Sequence, residues 1–237
     1  MEHDLPGKKA LLMPDHHLHS SPETCHWGYF DAKLKPALTI ASGDEVTIET
    51  VSGGPEVVPD KSKFHIPPEL AEIHAKCERQ LQGHILTGPV AVAGAEPGDV
   101  LEVDILDVQL RQDWGWNLIR PLAGTLPDDF HETRILNIPL DRERMVGRMP
   151  WGLDLPLKPF FGVMGVAPPP GWGRITSLIP RAMGGNLDNK ELAPAANCIC
   201  RCSCRARCSP AATATACRAM AKSASPRSRP RCRAAFA

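Results

Sequence analysis

Ahead of residue 198 the chain holds only two cysteines, Cys25 and Cys77, against seven from Cys198 onward. An extracellular disulfide framework staples the domain that it stabilises. A cysteine-poor body therefore points to a reducing compartment and a cytoplasmic protein. No apolar run approaches the length of a membrane-spanning helix. The opening "MEHDLPGKKALLMPDHHLHSS" has acids before its short apolar patch and makes a poor signal peptide. Also missing are a Walker loop, a G-x-S-x-G elbow, a dinucleotide fingerprint and a basic aromatic RNA-binding strand. These absences count against nucleotide-driven chemistry, serine-elbow hydrolysis and specific nucleic-acid recognition. Acids are lacking from residue 193 onward, so the net charge of zero conceals a segregation. Residues 1–192 carry 18 positive against 27 negative charges, and all the remaining basic residues lie in the tail. An acidic body suits an ordinary soluble protein with no nucleic-acid surface and no membrane face.

What is present reads as β structure. "LKPALTIASGDEVTIETVSGG" (34–54) contains two Val/Ile/Thr-rich stretches separated by Ser42-Gly43-Asp44. In the second, Val46, Ile48 and Thr50 share one face, as a half-buried strand requires. "GPVAVAGAEPGDVLEVDILDVQL" (88–110) repeats the scheme, with a Gly-Asp turn before the second strand. A helix is predicted over 67–81, where Leu70, Ile73, Cys77 and Leu81 fall near one face. Between 145 and 183 proline and glycine are too frequent for long helices. The predicted class is mainly β: a sandwich of short strands with a smaller α+β portion.

Several clusters could carry chemistry. "DHHLHSSPETCHWGYFD" (15–31) gathers His16, His17, His19, His26, Asp15 and Asp31, donors suited to a divalent ion that activates water. The same stretch also reads as a solvated His-rich loop, because its spacing matches no standard zinc signature. His84, in "GHILTGP", precedes a strand, and a lone histidine there is as readily structural as catalytic. In "GGNLDNKEL" (184–192), Gly184-Gly185 permits close backbone approach, and Asn186, Asp188 and Asn189 follow with hydrogen-bonding groups. Turns use the same residues. "FFGVMGVAPPPGWG" (160–173) reads as a buried strand leaving through a proline turn. "DWGWN" (113–117) could line a pocket or staple two sheets.

Taken in order, "CHWGYFDAKLKPALTIASGDEVTIETVSGG", "GHILTGPVAVAGAEPGDVLEVDILDV", "DWGWN", "PLKPFFGVMGVAPPP" and "GGNLDNKEL" resemble the acetamidase/formamidase family of amide hydrolases. The resemblance covers roughly residues 15–192. It implies hydrolysis of a short aliphatic amide, formamide or acetamide, to a carboxylic acid and ammonia. It also implies a largely β sandwich and a homo-oligomer, and it admits a divalent metal such as zinc or calcium. On this reading His26, His84 and Asp188 are the catalytic candidates, and Trp27, Asn186 and Asn189 the substrate-binding ones. Asp31 with His26 would be the metal ligands. Cys25 is not the nucleophile, since neither the Ser-Ser-Lys nor the Cys-Glu-Lys signature is present. The alternative is a non-catalytic β-sandwich that binds a small molecule.

The resemblance ends where "NCICRCSCRARC" (197–208) begins. Family members continue there with segments of the type "LYLPV", "GALFS" and "GDGH". Read one base out of register, the codons of this tail restore part of that pattern. Asn197 into Cys198 can encode only Leu, Cys198 into Ile199 gives Tyr or His, and Met220 into Ala221 gives Gly. One base lost after Pro194 would produce the tail. The chain is therefore expected to comprise a C-terminally incomplete family domain, 1–194, and a frameshifted, disordered tail, 195–237, with impaired turnover. Ala, Arg, Cys, Ser and Pro make up 38 of the 45 tail residues from 193 onward, leaving few large apolar side chains to offset chain entropy.

Overall fold

The computed structural model describes residues 15–123 and 126–203, together with the strand backbones of 211–216 and 231–236. Two five-stranded sheets form most of it. The first contains β1 (Asp15–Leu18), β5 (Glu45–Ile48), β8 (Val100–Val108), β16 (Asn197–Arg201) and β18 (Arg231–Phe236), in the order β1-β5-β18-β8-β16. The second contains β2 (Cys25–Trp27), β6 (Ile85–Thr87), β13 (Pro159–Gly165), β15 (Gly184–Asn186) and β17 (Ala211–Ala216), in the order β15-β13-β17-β6-β2. Two short pairs accompany them. β3 (Tyr29–Phe30) lies against β14 (Ile175–Thr176), and β4 (Leu38–Ile40) against β7 (Val90–Val92). An antiparallel meander of β9 (Trp114–Ile119), β10 (Arg134–Asp141), β11 (Val146–Arg148) and β12 (Asp154–Pro156) makes a separate four-stranded sheet.

The predicted sandwich is present because two-residue alternation gives β5 and β8 of the first sheet one apolar face, while β2, β6 and β13 of the second are buried almost throughout. Val46 and Ile48 of β5, with Leu101, Val103 and Ile105 of β8, bury against Leu86 of β6 and Phe161 and Val163 of β13. The two Gly-Asp turns are built alike. Asp44 Oδ2 accepts from Ala41 N at 2.8 Å and Asp99 Oδ2 from Glu96 N at 2.8 Å, so each carboxylate pins the backbone three residues earlier. The short strands read from 34–54 therefore enter and leave one repeated turn.

The predicted helix is shorter than its apolar periodicity suggests. Helix α1 spans Pro68–Lys76, with Pro68 at its first turn, where no N–H partner is needed. Leu70 and Ile73 bury against Trp27, Val51, Ile85 and Trp114, the smaller α+β portion of the fold. Cys77 is already extended, because Arg79 forms a bridge to Trp27 and the Leu81 backbone packs on Gly28. Tertiary pairing, rather than a weak helix signal, draws 78–81 out of the helix. Over 145–183 the described helical structure is one turn at Pro170–Trp172.

The stretch expected to be disordered contains three strands, β16, β17 and β18. β16 runs antiparallel to β8, with Cys198 opposite Val103 and Cys200 opposite Leu101. Period two explains its fit: Cys198 and Cys200 turn into the core while Asn197, Ile199 and Arg201 face out. Residues 204–210, 217–230 and 237 of that stretch lie outside the described residues. No described helix is long and apolar enough to cross a membrane.

Candidate active site

A cavity of about 480 Å³ opens between the start of β6, the end of β15 and the strand β9. His84, Asn186, Asp188, Arg111, Trp114 and Trp116 contribute to its wall. Three of the residues predicted from sequence, His84, Asn186 and Asp188, thus meet in one place although about a hundred residues separate them. The tryptophans of "DWGWN" split their tasks. Trp114 is fully buried and donates from Nε1 to the His65 carbonyl at 2.9 Å, whereas Trp116 remains partly exposed.

His84 is held from both its backbone and its ring. Its N–H donates to Ser177 Oγ at 2.8 Å, and Nδ1 lies 3.2 Å from the same oxygen. Its carbonyl accepts from Gly28 N at 2.8 Å, while Ser177 N donates to Gly28 O at 2.9 Å. Gly28 has φ +94°, and any Cβ there would collide with the Leu81 carbonyl. Burial lowers the His84 pKa below the ordinary histidine value, and the negative charge of Asp188 acts in the opposite direction. The imidazole is therefore neutral near pH 7. If Nδ1–H donates to Ser177, Nε2 is a free base; if the hydroxyl donates to Nδ1, Nε2 carries a proton that it can give.

Asn186 and Asp188 are placed by the double glycine. Gly184, at φ +94°, lies so close to β13 that a Cβ would overlap the Met164 carbonyl. The chain then turns outward: Leu187 N and Asp188 N both donate to the Gly162 carbonyl at 2.9 Å, and Asp188 adopts φ +43°. Asn186 Nδ2 donates to the Leu178 carbonyl at 3.4 Å, leaving its second amide hydrogen for another acceptor. The close approach foreseen for Gly184-Gly185 is thus to the protein's own backbone.

The remaining predicted residues sit elsewhere. Asn189 lies outside the cavity wall, and its Oδ1 accepts from Glu191 N at 3.1 Å to shape the turn. Trp27 is buried and braces the loop before His84: its Nε1 donates to the Gly83 carbonyl at 3.2 Å, and its ring stacks on His74. His26 is buried beside Tyr29, and its Nε2 has no hydrogen-bond partner among the described residues. Desolvation lowers its pKa to about 4, against the pull of backbone hydrogen bonds at Gly88 and Tyr29. Asp31 accepts from Lys33 N at 2.9 Å and faces Arg174 Nε at 3.7 Å, while that guanidinium covers the Tyr29 ring. An Asp31 carboxylate already paired in this way ties β3 to the 170s loop, and among the described residues neither it nor His26 joins a convergent set of metal donors. That set is His17, His19 and Glu49, whose ligand atoms all lie within 4.8 Å of one another. Cys25 is buried: burial raises its thiol pKa, and Sγ rests 3.5 Å from Thr87 Oγ1.

Sequence reading missed Ser177 and Arg111. Ser177 carries no local signal, since a serine after a two-residue strand looks like any turn. Arg111 lines the cavity and reaches Ser20 Oγ at 3.1 Å, the Thr50 carbonyl at 3.2 Å and the Glu69 carboxylate. Its sole sequence signature is a cation at the end of an apolar strand.

The chain is similar to several known proteins. A formamidase from Methylophilus methylotrophus is 58% identical over 56 residues, 22% of this chain and 14% of that protein. An acetamidase from Bacillus halodurans superposes with a TM-score of 0.66 at 25% identity, over 83% of this chain and 60% of that one. A predicted acetamidase/formamidase from Thermoanaerobacter tengcongensis shares the fold, with a TM-score of 0.68 at 24% identity over 84% and 61% of the two chains. So does a gamma lactamase from Delftia acidovorans, at 0.65 and 20% over 82% and 58%. The chain thus spans about three fifths of the length of these solved relatives. The sequence pattern of the Acetamidase/Formamidase family matches residues 14–172, two thirds of the chain, and the protein belongs to that family.

Proposed function

We propose that this protein descends from, and is built as, a hydrolase of short aliphatic amides, with the cavity beside His84 as its active site. The carrying observation is the convergence of His84, Asn186 and Asp188 in one cavity of a chain that belongs to the acetamidase/formamidase family. In the proposed reaction His84 Nε2 takes a proton from water as the oxygen attacks the amide carbonyl. The free amide hydrogen of Asn186 stabilises the carbonyl oxygen as it gains charge. The proton on His84 then passes to nitrogen as the C–N bond breaks, releasing ammonia and leaving the acid. Asp188 favours the protonated imidazole midway. Trp27 acts through Gly83, as a brace for His84, rather than on substrate.

The finer expectations belong to the same reading. Residues 195–237 are the product of a shifted frame appended to a family domain of 1–194, and turnover by the chain as written is impaired. The protein is cytoplasmic, and its intact form is a homo-oligomer. Exposed Trp116, Ile135, Trp151 and Leu153 on or beside the β9–β12 sheet offer apolar surface for such contacts.

The deciding experiment resequences codons 192–198 and measures ammonia released from formamide and acetamide by two proteins. One is the chain as written; the other carries one restored base after Pro194. Turnover by the restored form alone supports both readings. Robust turnover by the chain as written overturns the impairment, and background release by both forms overturns amide hydrolysis.

A further inference from the structure

Strand periodicity brings three donor side chains together outside the cavity. β1 runs parallel to β5 with His17 opposite Thr47. Leu18 turns into the core, so His17 and His19 on either side of it emerge on the opposite face. Past Ile48 the pairing continues, since Glu49 N donates to the Leu18 carbonyl at 2.9 Å. Glu49 thereby shares the face of the two histidines. His17 Nε2 lies 3.2 Å from Glu49 Oε1, His19 Nδ1 lies 3.2 Å from Oε2, and the two imidazoles stack at 4.0 Å.

We propose that His17, His19 and Glu49 form a binding site for a zinc-class divalent cation. The donor set fits such an ion: two imidazoles and a carboxylate are a recurrent zinc shell. A tetrahedral site with normal zinc–ligand bonds separates its ligand atoms by about 3.3 Å. The His17 Nε2–Glu49 Oε1 separation already stands at 3.2 Å, and one ligand atom from each of the three residues lies within 4.8 Å of the other two, so modest side-chain movement brings them to one ion. Calcium and magnesium are disfavoured here, because they demand shells made of oxygen.

The surroundings tolerate the added charge. Arg111 Nη2 lies 3.4 Å from Glu49 Oε2, and the same guanidinium also pairs with Glu69. It can hold Oε2 while Oε1, on the His17 side, serves as the ligand. His16 is committed to Asp44 at 3.0 Å and is not a ligand. The side chains of His17 and His19 are 46% and 68% exposed, which makes the ion exchangeable with solvent. Thr50, the residue after Glu49, lines the cavity, so the ion would lie just outside its wall. The site stands independently of the amide-hydrolase reading.

Cobalt(II) added to the full chain is the test, since it occupies zinc-type sites and reports its ligands by absorption. Cysteines elsewhere in the chain would betray themselves by a near-ultraviolet thiolate charge-transfer band. The expected result is stoichiometric cobalt with visible bands, no thiolate band at this site, and displacement by zinc. The double variant His17→Ala/His19→Ala, and Glu49→Gln separately, should lose those bands. Both are expected to keep the far-ultraviolet circular dichroism of the parent, because the histidines are exposed. Visible bands that persist in the double variant, cobalt held through thiolates alone, or no cobalt binding by the parent would each overturn the proposal.

Discussion

One hydroxyl, Ser177 Oγ, accepts the His84 backbone N–H at 2.8 Å and meets the His84 ring at Nδ1 at 3.2 Å. The side chain that fixes the imidazole also satisfies a backbone donor, and Ser177 is itself fully buried. Replacing it removes both functions together. Ser177→Ala should cost about 1–3 kcal/mol, the penalty for stranding a buried donor. It should also free the ring to rotate. Urea denaturation measures the first effect, and the chemical-shift titration of His84 the second. A variant as stable as the parent, with an unchanged His84 titration, would show that this contact orients nothing.

The buried His26 makes stability depend on pH. Its folded pKa of about 4 lies below the ordinary histidine value of 6.5, so between these values the unfolded chain binds the extra proton. The contribution is fully present above the unfolded pKa and is lost as pH falls toward 4. A shift of this size corresponds to something on the order of 3 kcal/mol. Urea midpoints from pH 7.5 down to 4.5 should fall more steeply for the parent than for His26→Asn. Carboxylates that titrate in the same window affect both proteins equally, so the difference isolates the histidine. Parallel curves would remove His26 as the cause.

These two residues also mark what the sequence could and could not tell. The strands around Val46, Ile48, Leu101 and Val103 were legible, because period-two burial is written locally. The helix was legible at Leu70 and Ile73 but not at its end, which is set by a bridge to Trp27 that no local pattern encodes. His84, Asn186 and Asp188 stood out by residue type, and the fold brings all three to one cavity wall. Ser177 did not stand out, since its value lies in facing a histidine 93 positions away. His26 looked catalytic for the same reason that His84 did, and only burial separates them. The alternating cysteines of 198–202 carried a strand period that composition alone concealed.

The double glycine should be sensitive to the smallest side chain. At Gly184 a methyl group would overlap the Met164 carbonyl, and the φ of +94° is unfavourable for any L-residue. Gly184→Ala should therefore push β15 off β13 and destabilise the protein by about 1–3 kcal/mol. Asn186 ends β15 and Asp188 follows two residues later, so amide resonances around the cavity should shift along with those of β13. A variant that melts with the parent and keeps those resonances would mean that β15 does not pack as described.

Asp188 sets the proton affinity of His84 through space rather than by contact. Burial disfavours the imidazolium, and the Asp188 carboxylate is the charge that opposes this. Asp188→Asn should therefore lower the His84 pKa further, and in any form of the protein that turns over it should move the acidic limb of the pH–rate profile to lower pH. Added salt discriminates the mechanism, because Asp188 is exposed and its field is screened. The parent's His84 pKa should fall as ionic strength rises, approaching that of the variant, while the variant's own value stays nearly constant. Equal salt dependence in the two proteins would assign the effect to the loop conformation at residue 188, whose φ of +43° asparagine also tolerates, rather than to its charge.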